Sequence, residues 1–269
     1  MIGALDGLTV VLAGLVLSTL VVWWWRPEEV FLVLLGVIAF RALVRPYRVP
    51  AWRPERVVTA GVLAYIGVFS FLTVTRHWAF RTHALDLGQY VQIVWSLTQD
   101  LRGPYMSLPE MHAWGDHFSP TLYLLVPLFS LFPGPVFLLV AQSALFALGA
   151  LPVFGVARRR LGSDQAAAAF ALLYLASPSL HGVNIRDFHP AALAIPLLLT
   201  AAYCFETNRI GWFLLTVLLT LGCREDAALP VIGLGLWVAL ARRRWILGAG
   251  VAAGSLAVLL FDTQVLMPY

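Results

Sequence analysis

The feature that most constrains this chain is a series of apolar runs, several close to 20 residues long, separated by short polar clusters. A helix needs roughly 20 apolar residues to cross a hydrocarbon core about 30 Å thick. Hydrophobic residues make up 60% of the 269 positions, charged residues only 12%, and the mean hydropathy is +0.83. This composition excludes a soluble globular domain and a disordered chain. The sequence therefore predicts an all-α, polytopic bundle of membrane helices.

Nine apolar runs predict membrane-spanning helices. They lie at 7–25, 29–44, 57–75, 135–157, 164–181, 190–206, 209–223, 227–241 and 245–263. We divide the chain into an N-terminal pair of transmembrane helices, 1–56, and a transmembrane core, 57–269. A further apolar run at 120–132 covers only about 20 Å as a helix. It is predicted to lie in the membrane interface or to re-enter the membrane on one side.

The basic residues set the predicted orientation. All are Arg, and most form three clusters: Arg41, Arg45, Arg48, Arg53 and Arg56; Arg158, Arg159 and Arg160; and Arg242, Arg243 and Arg244. If 120–132 does not cross, the three clusters share one side, which the positive-inside rule makes cytoplasmic. All six His then fall on the external side. We expect a multi-pass protein of the cytoplasmic (plasma) membrane, and the net charge of +4 does not indicate a nucleic-acid partner.

The long external segment between the third span and Pro120 predicts two further helices. Apolar residues recur at helical spacing from 87 to 101, which predicts an amphipathic helix on the membrane surface. Asp86 is expected to be its N-cap, and Ser119 the cap of the helix that begins at Pro120. The bundle therefore has two amphipathic or re-entrant helices in its first long external loop.

Polar residues gather where the predicted external helices begin. They are Asp86, Asp116, His117, Arg186, Asp187, His189, Arg224, Glu225 and Asp226. Taken singly, the acids are explained as caps that complement helix dipoles. Taken together, they predict a shared polar cavity with carboxylates for base or cation chemistry, imidazoles, and an Arg suited to a phosphate. The sequence contains no P-loop, dinucleotide fingerprint, nucleophilic triad signature or HExxH zinc motif.

Five segments, in order, carry a family resemblance: LDLGQYVQIVWSLTQ, GDHFSPTLYLLVPLFSLFPGP, ALFALGALPVFGVARRRLG, RDFHPAALAIPLLL and CREDAALPVIGLGLW. They resemble a prokaryotic domain-of-unknown-function family of predicted membrane proteins, over roughly residues 60–269. That family in turn looks like a distant branch of the GT-C membrane glycosyltransferases. The resemblance implies a GT-C-like core, transfer of a sugar from a polyprenyl-phosphate donor to an acceptor hydroxyl on the external face, and inversion at the sugar. Such enzymes usually continue with more helices or a soluble domain, so we expect a fragment or a shortened member.

The resemblance also implies roles for the polar residues. Asp86 matches the acid of the first external loop and would act as the base, aided by Asp116, His117, Asp187 or His189. A divalent cation, Mg²⁺ or Mn²⁺, would be held by Asp86, Asp116 and His189. Arg224 would bind the lipid phosphate, with the further substrate-binding residues Arg186, Glu225 and Asp226.

An alternative of another class is a non-catalytic binder or carrier of lipid-linked saccharides. A carrier needs a polar path through the membrane, with acids inside the spans or an inverted repeat. In this sequence the charges stop at the two faces. We therefore expect the enzyme rather than the carrier.

Overall fold

The computed structural model describes residues 2–18, 27–44, 53–101, 103–108 and 110–267. These residues are mostly helical, which confirms the predicted fold class at that level. The end of the first predicted span, at 19–25, lies outside the described residues. The same is true of Arg45 and Arg48 from the first Arg cluster.

The α-helices follow one another along the chain, and short 3₁₀ turns separate some of them. In order they are α1 (Ile2–Ser18), α2 (Pro27–Val44), α3 (Pro54–Trp78), α4 (Ala84–Gln99), α5 (Val126–Leu131), α6 (Pro135–Leu148), α7 (Ala150–Leu161), α8 (Asp164–Leu175), α9 (Pro178–Ile185), α10 (Ala191–Glu206), α11 (Ile210–Leu221), α12 (Ala228–Leu240) and α13 (Trp245–Phe261). The 3₁₀ turns are Ala113–Gly115, Pro120–Leu125 and Glu225–Ala227, and a π-helical turn, Asp262–Leu266, follows α13. Between α4 and the first 3₁₀ turn, β1 (Tyr105–Met106) pairs antiparallel with β2 (Met111–His112), a small hairpin that the all-α prediction lacks.

Local sequence explains where several helices begin and end. Pro54 and Pro135 stand in the first turns of α3 and α6, where a fixed φ and a missing N–H cost nothing. The chain leaves α7 at Gly162, whose φ of 63° is left-handed and suits a residue without a Cβ. Ser163 then caps α8 by accepting a hydrogen bond from the N–H of Ala166 at 3.3 Å.

Three described helical segments are long and apolar enough to cross a membrane: Pro54–Trp78, Pro135–Leu161 and Trp245–Leu266. A fourth crossing results if α8 and α9, which meet at a 40° bend, form one broken span. Among the described residues the structure thus supports three or four spans of full length, where the sequence predicts nine. The presence of membrane-length apolar helices agrees with the prediction, but the number of full-length spans does not.

The difference has a simple physical reason. The apolar run at 190–206 is itself only 17 residues long, and 16 of them form α10. The run at 209–223 leaves 12 residues for α11 because turns at its ends use the rest. The run at 227–241 leaves 13 for α12, because Ala227 belongs to a 3₁₀ turn and Ala241 follows the helix. Helix α2 is 18 residues long but carries two Glu and one Arg. Apolar composition predicts burial or lipid contact, and it does not fix helix length.

The Arg clusters of the C-terminal half meet at one end of the bundle. Glu206 is buried at the end of α10 and accepts hydrogen bonds from Arg160 and Arg242, each at 2.7 Å. Arg158 pairs with Glu55 at the start of α3, at 3.3 Å. The ends of α3, α7, α10 and α12 therefore share this basic end, as the predicted topology requires. Which side of the membrane it faces stays a prediction.

The helices of the long loop form close to their predicted positions, at α4 and at the 3₁₀ turn Pro120–Leu125 followed by α5. Their placement in the membrane surface stays a prediction. The predicted N-cap at Asp86 is wrong, whereas Ser119 does stand at the predicted N-cap position before Pro120. Helix α4 starts at Ala84 with His83 at the N-cap, because the His83 N–H is held by Asp187, and Asp86 lies within the first turn. Ser119 makes no capping hydrogen bond, and its hydroxyl is buried.

Candidate functional site

Several of the polar residues singled out in the sequence act on one buried side chain, Tyr90, in the middle of α4. The Tyr90 ring packs edge-on against Phe188 at 5.7 Å and lies 6.0 Å from the ring of His189. Burial raises the pKa of the Tyr90 phenol well above its ordinary value. Arg224 opposes this shift, whereas Asp116, Glu225 and Asp86 add to it, so all four charges lie within electrostatic reach of one hydroxyl. Tyr90 is not among the residues singled out in the sequence, because it occupies a position on the apolar face of the predicted amphipathic helix.

Asp187 forms the first part of the site, just beyond α9. Its side chain is 1% exposed, and Oδ2 accepts a hydrogen bond from the backbone N–H of His83 at 2.8 Å. The same oxygen lies 3.0 Å from Nδ1 of the His83 ring. The other oxygen, Oδ1, is buried and has no hydrogen-bond partner among the described residues.

His83 and Asp86 stand one helical turn apart at the start of α4, and the Asp187 carboxylate lies beside both. One ligand atom from each of the three residues lies within 4.8 Å of the other two. This group shares only Asp86 with the predicted ligands Asp86, Asp116 and His189. The ring of His189 instead lies with Nδ1 2.7 Å from the backbone oxygen of Asp187. His83 is not among the residues singled out in the sequence, because nothing in its sequence neighbourhood distinguishes it.

Gln142, in the middle of α6, holds the segment that carries Asp187 and His189. Its side chain is fully buried. Its Nε2 donates to the carbonyl oxygens of Asn184 and Arg186 at 3.2 and 3.4 Å, and its Oε1 accepts from the N–H of His189 at 3.0 Å. One amide thus satisfies backbone groups on both sides of Asp187. Gln142 is the one amide side chain within the apolar stretch 135–148, and this contrast is the sequence feature that could have identified it.

The second part of the site joins the 3₁₀ turn Ala113–Gly115 to the start of α12. His117 Nδ1 lies 2.9 Å from Oε1 of Glu225. The hydrogen bond to Glu225 raises the pKa of His117 above its ordinary value, although partial burial opposes the shift. Burial alone would raise the pKa of Glu225, but His117 and Arg224 outweigh it and hold that pKa below its ordinary value. Both shifts favour the charged pair.

Arg224 lies between two acids of its own turn. Its Nε is 3.5 Å from Oε1 of Glu225 and 3.5 Å from Oδ1 of Asp226. The Arg224 side chain is one-third exposed and Asp226 is more than half exposed, so the guanidinium is open to solvent. The second oxygen of Glu225 is buried without a partner among the described residues. Asp262, a buried residue that the sequence analysis did not single out, lies near enough for its charge to act on Glu225.

The structure therefore brings most of the predicted residues together, in two groups around Tyr90. One contains Asp86, Asp187 and His189, and the other contains Asp116, His117, Arg224 and Glu225. Asp226 joins the second group at its solvent side. The Arg186 side chain is exposed, and only its backbone carbonyl contacts the site, through Gln142.

Backbone contacts hold the second group in place. Thr121 donates from its N–H to the carbonyl of Gly222 at 2.9 Å and from its hydroxyl to the carbonyl of Leu219 at 2.7 Å. A Cβ at Gly222 would lie 2.7 Å from the Thr121 hydroxyl, so only glycine allows this approach. The 3₁₀ turn that begins at Pro120 is thereby fixed to the turn that carries Arg224.

An apolar groove of about 1070 Å³ extends from the site end of the bundle to the basic end. Leu125 and Leu128 line it near the site, Leu148 lines its middle part, and Arg158 lines it at the basic end. Its other walls come from α6, α7 and α10. The groove is long and apolar, with charge only at one end.

The family model "Predicted membrane protein (DUF2079)" matches residues 76–269. The chain belongs to this family. No curated protein and no solved structure matches the chain. The DUF2079 match covers both groups of site residues and leaves out α1 and α2. It begins within α3, so it does not test the predicted division at residues 56 and 57. The DUF2079 model describes a membrane protein without a stated activity, and the GT-C resemblance stays a hypothesis.

Proposed function

We propose that the protein is a membrane glycosyltransferase that moves a sugar from a polyprenyl-phosphate donor to an acceptor hydroxyl on the external face. The observation that carries this proposal is that the charges of Asp86, Asp116, Glu225 and Arg224 all act on one buried phenol, that of Tyr90, while Arg224 and His117 both contact Glu225. Acids that only capped their own helices would have no reason to lie close to one another. Acids and a solvent-accessible Arg in one place suit a reaction that removes a proton and releases a phosphate.

Each step of the reaction has a group in the site. The acceptor oxygen forms a bond to the anomeric carbon of the sugar while its proton passes to the carboxylate of Asp86. The bond between the anomeric carbon and the phosphate oxygen breaks, and polyprenyl phosphate leaves with the electron pair. Arg224 stabilises the charge that develops on this leaving group, because a guanidinium binds phosphate through two parallel hydrogen bonds. Attack opposite the leaving group inverts the anomeric centre.

The apolar groove supports a lipid-linked donor rather than a soluble one. A prenyl chain whose phosphate meets Arg224 needs an apolar path toward the opposite end of the bundle. The groove lined by Leu125, Leu128 and Leu148 offers this path. Burial of a prenyl chain contributes about 0.8 kcal/mol for each CH₂ removed from water, although exchange with bilayer lipid reduces that gain.

The test is a transfer assay with the full-length protein in lipid nanodiscs. A panel of polyprenyl-phosphate sugars is supplied with a cell-envelope extract as the source of acceptors, and free polyprenyl phosphate is measured. The proposal expects release of polyprenyl phosphate with at least one donor, dependent on Asp86. Saturable donor binding without release by any donor would support the non-catalytic binder or carrier instead.

A further inference from the structure

We propose that His83, Asp86 and Asp187 form a binding site for a divalent transition-metal ion, with Zn²⁺ bound more tightly than Mn²⁺ or Mg²⁺. The binding itself follows from the geometry of these three residues. Only the role of the ion in sugar transfer rests on the proposed function.

The first observation is the convergence of three side chains from two separate parts of the chain. His83 and Asp86 come from the first turn of α4, whereas Asp187 follows α9, 104 residues after His83. Their ligand atoms lie within 4.8 Å of one another. Ligands of a metal with bonds of about 2.0–2.2 Å are separated by roughly 3–4 Å, so small side-chain rotations would close the site.

The second observation is independent and concerns Asp187 alone. Its side chain is 1% exposed, yet Oδ1 has no hydrogen-bond partner among the described residues. A buried polar atom without a partner loses its hydration without compensation, and the loss is larger when the group is charged. Only Oδ2 is occupied, by the N–H and the ring Nδ1 of His83, so Oδ1 is free to bind a cation.

The surroundings keep this carboxylate in place. Gln142 donates to the carbonyl of Arg186, one residue before Asp187, and accepts from the N–H of His189, two residues after it. A metal site needs such outer contacts to orient its ligands. The His83 ring, by contrast, is 74% exposed, which leaves room for a water or a substrate oxygen as a further ligand.

The donor atoms determine the class of ion. Imidazole favours Zn²⁺ and its transition-metal neighbours, whereas Mg²⁺ and Ca²⁺ prefer oxygen ligands alone. One imidazole nitrogen and two carboxylate oxygens leave a fourth position open, as in catalytic zinc sites. Asp86 needs only one oxygen for the ion and keeps the other for the acceptor proton.

The experiment measures metal binding without any sugar donor. Full-length protein without a His-tag is placed in nanodiscs, stripped with chelator and titrated calorimetrically with ZnCl₂, MnCl₂ and MgCl₂. We expect one saturable Zn²⁺ site per chain, with affinity reduced at least tenfold in His83→Ala and in Asp86→Asn. His112→Ala, which removes an exposed imidazole outside the group, should bind Zn²⁺ as the unaltered protein does.

Asp187→Asn is expected to lose binding as well, but its buried position carries a folding risk. The melting temperature of each metal-free variant is therefore measured, and the exposed His83 provides a variant that does not depend on Asp187. No saturable Zn²⁺ binding by the unaltered protein, or equal binding by His83→Ala, would overturn the site. Zn²⁺ binding without sugar transfer would refute the proposed function and support the metal site. Sugar transfer without Zn²⁺ binding would support the proposed function and refute the metal site.

Discussion

The Nδ1 atom of His117 lies 2.9 Å from Oε1 of Glu225, although 108 positions separate the two residues in the chain. This contact joins the loop after β2 to the start of α12. It also places His117 beside Arg224, which contacts the same Glu225 oxygen. The half of the site that we assign to phosphate binding is therefore held together by charge.

This pair predicts a pH-dependent contribution to stability. The pKa of His117 is raised above 6.5, so its contribution is complete below pH 6.5 and is lost as the pH rises through the folded-state pKa. The pKa of Glu225 is lowered below 4.5, so its contribution is complete above pH 4.5 and is lost as the pH falls through the folded-state pKa. The charged pair of His117 and Glu225 therefore stabilises the fold most between pH 4.5 and pH 6.5.

The measurement compares melting temperatures of the unaltered protein and Glu225→Gln at several pH values. We expect the variant to melt lower by a few degrees at pH about 5.5, for a loss of roughly 1 kcal/mol, and the gap to narrow at pH about 8.5. A gap that is constant across this range would mean that the two side chains do not form a charged pair.

Asp86→Asn tests the assigned base. Asparagine keeps the shape of the side chain but cannot accept the acceptor proton, and general-base assistance typically contributes about 10²–10⁴-fold. We expect transfer to fall by that factor while the melting temperature stays within a few degrees. Asp164→Asn, at the basic end, is the matched control and should transfer normally. Normal transfer by the Asp86 variant would move the base to another acid, with Asp116 the first to test.

Arg224→Lys tests the phosphate contact. Lysine keeps the charge but loses the planar pair of donors, so donor binding should weaken by roughly tenfold. The check is the apparent affinity for a polyprenyl-phosphate sugar in nanodiscs. Arg56→Lys changes an exposed Arg near the start of α3 and should leave that affinity unaltered. Equal affinity in both variants would exclude a bidentate role for Arg224.

Gln142→Leu removes the amide that holds the segment from Asn184 to His189. The backbone groups it satisfies would then be buried without partners, at about 1–3 kcal/mol each. We expect a melting temperature several degrees lower and weaker Zn²⁺ binding at Asp187. Gln99→Leu, on the exposed end of α4, should change neither property. If Gln142→Leu binds Zn²⁺ as tightly as the unaltered protein, the amide does not position Asp187.

Leu148→Trp tests the apolar groove. A larger ring there narrows the path for a prenyl chain, so the apparent affinity for a long-chain donor should fall roughly tenfold. A donor with one or two prenyl units should be unaffected, because it does not reach that far. Leu63→Trp, on an exposed face of α3 outside the groove, is the control. An equal loss with short and long donors would place the prenyl chain elsewhere.

The sequence predicts the membrane bundle because apolar composition and Arg clusters are local properties. The prediction that the second and third Arg clusters share one end agrees with the structure, where Arg160 and Arg242 both contact Glu206. Span count was predicted less well. Helix α11 ends at Leu221 before its apolar run does, since the turn at Gly222 is set by contact with Thr121, which no local pattern encodes.

In the candidate site, too, residues with a local sequence signal were predicted, and residues that depend on distant contacts were not. Asp86, Asp187 and Glu225 were identified because acids near helix starts are unusual in so apolar a chain. His83 and Gln142 were not, since their importance comes from partners about 100 and 40 residues away. Tyr90 was missed because its position fits the apolar face of α4. Pairings across the chain are set by packing, which the sequence shows only indirectly.

The central claim is that Arg224 and Tyr90 mark the place where a lipid phosphate meets the protein. It is tested most directly by an experimental map of the full-length protein in nanodiscs with a bound polyprenyl-phosphate sugar. Our account predicts phosphate density within hydrogen-bond distance of the Arg224 guanidinium, with the prenyl chain along the groove past Leu148. Phosphate density at the basic end, beside Arg158 or Arg242, with none at Arg224, would contradict it.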